Sequence, residues 1–101
     1  MQPNSAAPRP MREAAEMLAV QALGFIAEEP RTLSRFLESS GLSAEQIRLA
    51  SRQPGFLAGV LEYVLGDEPL LIAFAESAGI NPAEVARATS ALGGHWERDV
   101  P

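Results

Sequence analysis

Residues 55–65 read Gly-Phe-Leu-Ala-Gly-Val-Leu-Glu-Tyr-Val-Leu. Apolar pairs recur there every four residues: Phe56-Leu57, Val60-Leu61 and Val64-Leu65. A period close to 3.6 stacks all six on one face of a helix. No stretch of the chain shows sustained strict alternation, so no strand is expected. The fold class read from the sequence is all-α.

Outward from this helix, the punctuation is regular. Ser43-Ala-Glu-Gln46 has the spacing of a capping box, in which the Ser hydroxyl accepts from a free backbone N–H and Gln46 reaches back. Asn81-Pro-Ala-Glu84 has the same form, with Pro82 at the first helical position. Leu42 with Ile47, and Ile80 with Val85, supply a hydrophobic staple to each box. Gly41 and Gly79 precede the boxes and can take the left-handed conformation that ends a helix. Pro30, Pro54 and Pro69 each suit the first turn of another helix. The spacing predicts helices over 11–28, 30–40, 43–52, 54–66, 68–78 and 81–92. Joints this short force neighbouring helices to pack at once. The expectation is a compact bundle of five to six short helices, with the first and fourth at its buried centre. Residues 1–10, with three Pro, are expected to be a flexible tail, 11–94 a single helical domain, and 95–101 a loose second tail.

The two halves resemble each other. A shift of 38 places lays Phe36-Leu-Glu-Ser-Ser-Gly-Leu42 on Phe74-Ala-Glu-Ser-Ala-Gly-Ile80, and Leu33 on Leu71. A one-residue adjustment lays Glu29-Pro30 on Glu68-Pro69 and Leu18-Ala19 on Leu57-Ala58. Two related three-helix units are expected, as a pseudo-symmetric bundle rather than a solenoid, which needs more repeats. The fifth helix carries Leu70 and Ile72 where the second has Thr32 and Ser34. It is apolar over most of its circumference, so it is either deeply buried or part of an interface.

Composition excludes several classes of chemistry. The chain of 101 residues has no Cys, so it makes no disulfide, thiolate metal site or Cys nucleophile. Every basic residue is Arg, which removes lysine Schiff-base chemistry and a lysine-dependent P-loop. A net charge of −5 argues against a general nucleic-acid binder. The longest nearly apolar stretch, residues 14–27, is interrupted by Glu16 and Gln21 and is too short to span a bilayer. No cofactor or metal is expected, nor a membrane segment, and the expected location is cytoplasmic.

Four constellations remain. Phe74-Ala-Glu-Ser-Ala-Gly-Ile80 with Val85 and Ala88 fits helix-turn-helix spacing, so residues 71–91 suggest a DNA-associated regulator. Its reading helix would offer Arg87, Thr89 and Ser90, with Glu84 facing the phosphates. Arg31 and Arg35, and Arg48 and Arg52, each lie four apart, making residues 31–52 locally basic in an acidic chain. They form either a docking patch for an acidic partner or a solvated surface paired with local Glu. Glu28-Glu29 and Asp67-Glu68 open helices, where the dipole favours negative charge, and could otherwise pair for acid–base or cation chemistry. His95-Trp96 follows a double glycine. Trp96 is a candidate recognition anchor or cover for an apolar patch.

The segment Ala15-Glu-Met-Leu-Ala-Val-Gln-Ala-Leu-Gly-Phe-Ile-Ala27 resembles the opening signature of domain-of-unknown-function family 3572, a family of small alphaproteobacterial proteins. Gly55–Glu62, Asp67–Leu71 and Phe74–Gly79 are similar to it too, in the same order, over about residues 11–94. The resemblance implies a cytoplasmic bacterial helical protein and carries over no activity, cofactor or catalytic residue. Taken together, these readings favour a non-enzymatic module that binds another protein, or itself, through an apolar helical surface. The candidate contacts are Leu70, Ile72, Arg31, Arg35, Arg48, Arg52 and Trp96.

Overall fold

A computed structural model of the chain describes residues 9–51 and 53–93. Among these residues six helices follow one another: α1 (Arg9–Glu28), α2 (Pro30–Ser40), α3 (Ala44–Ala50), α4 (Pro54–Leu65), α5 (Glu68–Ala78) and α6 (Pro82–Ala91). No strand is present among the described residues. Helix α1 begins two residues before the sequence pattern placed it, and α3 is shorter than the expected 43–52. None of the helices is long and apolar enough to cross a membrane.

The caps explain the boundaries. Ser43 Oγ accepts from the Gln46 N–H at 3.2 Å, and Gln46 Oε1 accepts from the Ser43 N–H at 2.8 Å, closing the box at the start of α3. At α6 the expected box does not close, and a simple Asn cap takes its place. Asn81 Oδ1 accepts from the Ala83 N–H at 2.9 Å, while Glu84 supplies no reciprocal arm. Glu84 instead donates its backbone N–H to the Asn81 carbonyl, at 2.8 Å. Gly41 and Gly79 both have positive φ, 74° and 71°, which only glycine adopts without strain. Behind Gly79, the Ile80 N–H reaches back to the Ala75 carbonyl at 3.0 Å, a Schellman closure.

The core is one cluster. Helix α1 contributes Ala15, Ala19, Ala22 and Ile26, spaced four, three and four residues apart. The three alanines let its backbone come close to its neighbours. Helix α4 contributes Leu57, Val60, Leu61 and Val64, four of the six residues of the opening stripe. As expected, α1 and α4 form the centre, and α1 packs most extensively on α4 and α6.

Two pairs of positions 38 apart agree in burial: Phe36 and Phe74 are buried, as are Ile47 and Val85. The two phenyl rings reach across the molecule. Phe36 lies edge-on to Tyr63 of α4 with centroids 5.0 Å apart, and Phe74 meets Phe25 of α1 at 5.6 Å. The third helix of each half is placed differently. Helix α6 packs on both α1 and α4, whereas α3 makes only marginal contacts. The side chains account for this. Helix α6 buries Val85, Ala88 and Thr89; α3 buries Ile47 alone.

Candidate functional site

Helix α1 carries two stripes. The inward stripe belongs to the core. The outward one is Glu13, Met17, Val20, Gly24 and Ala27, all exposed. Met17 keeps 67% and Val20 51% of its surface in water. Isolated exposed apolar residues are ordinary, but a contiguous run along one helix is not.

Two adjoining grooves follow this stripe. One, of about 400 Å³, runs between α1 and α3, with Val20, Gly24 and Ala27 on one wall and Ala44, Ile47 and Arg48 on the other. The second, of about 690 Å³, continues toward the start of α1 past Glu13, Glu16 and Met17 and is floored by Leu57. Val20 and Ser51 line both. The face is electrically uneven, with two carboxylates at one end and the Arg48 guanidinium at the other. Neither Glu13, Glu16 nor Arg48 forms an ion pair among the described residues. On the other side of α1, a groove of about 440 Å³ separates it from α6 and is lined by Met11, Met17, Glu84 and Arg87. A fourth groove, of about 480 Å³, lies between α2 and α4 over Phe36, Phe56 and Tyr63.

The residues singled out from sequence are dispersed. On α5, Leu70 is half-buried and packs against the core, so only part of its side chain is left at the surface. Ile72 does face solvent, 44% exposed. The fifth helix is therefore not deeply buried, and its exposed face sets Pro69, Ile72 and Ala73 beside Glu68, Glu76 and Ser77. Arg31 and Arg35 are exposed on α2, one turn apart, and Arg48 is exposed on α3 at the groove edge. Arg52, His95 and Trp96 lie outside the described residues.

The acidic joints act as helix starts. Asp67 Oδ1 accepts from the Leu70 N–H at 3.2 Å, capping α5. Glu29 Oε1 accepts from the Thr32 hydroxyl at 2.9 Å. Among the described residues, no three His, Asp or Glu side chains stand together as metal ligands would. At the α5–α6 corner, Thr89 is fully buried and its hydroxyl donates to the Val85 carbonyl at 2.8 Å. It is thus withdrawn from any role in reading bases.

The model of the family described as Protein of unknown function (DUF3572) matches residues 12–95. The chain belongs to that family. No curated protein and no solved structure gives a significant match. The DUF3572 match takes in nearly all of α1 and the whole of α2–α6, so every groove residue named above except Met11 lies inside it.

Met17 and Val20 were not singled out by sequence reasoning. Their signal lies in residues 14–27, which are apolar around the whole helix rather than along one stripe. Only the arrangement of the helices packed on α1 decides which of its sides is left uncovered.

Proposed function

We propose that this chain is a non-enzymatic protein–protein interaction module of the bacterial cytoplasm, and that the outward face of α1 with the edge of α3 is its contact surface. One observation carries the reading: α1 buries one heptad-spaced stripe in the core and holds a second, from Met17 to Ala27, in water. Apolar surface of that continuity is the usual mark of a contact site. The acidic and basic ends would orient a partner more than they would tighten it. The matching burial of two pairs of positions 38 apart supports an origin by duplication, after which the third helices diverged.

The α5–α6 corner supports a DNA-associated alternative less well. It has the left-handed glycine, but its exposed face offers Glu84, Arg87 and Ser90, and Thr89 is withdrawn into the core.

The test is a pull-down from the natural source, with and without nuclease, using the native chain and Val20→Glu. A discrete protein that survives nuclease and is lost with Val20→Glu, at unchanged melting temperature, supports the reading. A bound protein indifferent to Val20→Glu, or capture that vanishes with nuclease, overturns it.

A further inference from the structure

The exposed stripe of α1 has the periodicity of a helix-pairing seam. Glu13, Met17, Val20, Gly24 and Ala27 are spaced four, three, four and three residues apart. This is the spacing that lets one helix lie along another over several turns. The charges say which helix fits. The face is acidic at Glu13 and Glu16 and basic at Arg48. An acidic partner would satisfy one end and be repelled by the other, and a basic partner would do the reverse. A fitting surface must carry both signs in the opposite order. The same face turned end for end does so, and a two-fold axis produces that arrangement.

We propose that the occupant of the α1–α3 face is the same face of a second copy of this chain, in an antiparallel α1–α1 contact. The proposal rests on the reading of this face as an interaction surface and names its partner. An axis between Met17 and Val20 lays Met17 of each copy on Val20 of the other. It then sets Glu13 opposite Gly24 of the other copy, in the groove that Arg48 borders. Among the described residues, nothing beyond the glycine's own stretch of helix lies within 4 Å of where a Gly24 Cβ would stand, so their packing does not require a glycine there. Against a facing helix its missing side chain has a use, because it leaves room for the Glu13 carboxylate to reach Arg48.

Sedimentation equilibrium of the full chain from about 1 μM to about 1 mM tests this. The native chain is expected to be a dimer at the upper end and to dissociate as salt is raised. Arg48→Glu and Glu13→Arg are each expected to weaken pairing about tenfold. Combined in one chain they are expected to restore it, since each copy then presents the reversed pair to the other. Gly24→Ala is expected to raise the melting temperature of the monomer while weakening the dimer, which separates crowding at the seam from misfolding. A chain still monomeric at about 1 mM, or a double reversal that pairs no better than either single one, overturns the proposal. If the chain is monomeric yet Val20→Glu strips a protein from the pull-down, self-pairing fails and the interaction surface stands. If Val20→Glu strips nothing, both fail.

Discussion

Leu70 and Ile72 sit two residues apart on α5 and differ in everything but side-chain class. The Leu70 N–H is fixed by the Asp67 cap and its side chain packs on the core; Ile72 points to water. Leu70→Ala should therefore cost about 2 kcal/mol of stability, and Ile72→Ala within about 0.5 kcal/mol, both read from urea unfolding midpoints. Sequence could not rank these two residues. Both lie off the stripe inferred from the repeat, and their exposure depends on how α5 is rolled against α4. Caps were legible at this scale because they are local. The Ser43–Gln46 box needs four residues and no tertiary partner, and it formed as read. The Asn81–Glu84 segment has the same spacing with different residues, and no box closes there, since the Asn81 carboxamide oxygen accepts from the Ala83 N–H, two residues ahead.

At the scale of elements, α3 and α6 share a cap, a preceding glycine and a staple, but not a fate. The repeated letters specify where each helix begins. They do not specify how many neighbours it meets. Helix α6 gains its place between α1 and α4 through Val85, Ala88 and Thr89, while α3, seven residues long, is held by Ile47 and its own box. Local stability should follow the same order, because isolated helices this short are marginal in water. Native-state hydrogen exchange should show α3 amides opening well before those of α4. Ser43→Ala should remove about 1 kcal/mol from α3 protection and leave the α4 amides nearly unchanged. Loss of protection in both helices together would mean that α3 is part of the global unit. The candidate face was partly hidden for a related reason: residues 14–27 hold two interleaved heptad stripes, and a sequence cannot say which one the rest of the chain will cover.

For the molecule as a whole, the all-α class and the centre formed by α1 and α4 were legible from the apolar period alone. The contact between the first and last helices was not, because it joins residues more than sixty positions apart. That contact carries a kinetic prediction. Closing α6 onto α1 requires the largest loop in the fold, whose entropy is lost before the contact is made. Val85→Ala should lower stability by about 2 kcal/mol, mainly by speeding unfolding. Ile26→Ala should instead slow folding, on the expectation that the more local α1–α4 contact forms before α6 docks. Stopped-flow chevrons of the two variants measure this, and a Val85→Ala effect confined to the folding arm would contradict it.

The position of α6 also bears on how the protein is born. During synthesis α1 leaves the ribosome ahead of the other five helices and α6 behind them, and the faces of α1 and α4 that α6 covers stay wet until Ala91 has cleared the exit tunnel. Through that interval the nascent chain exposes the hydrophobic surface that chaperones recognise, and a stalled or truncated product lacking α6 would keep it exposed.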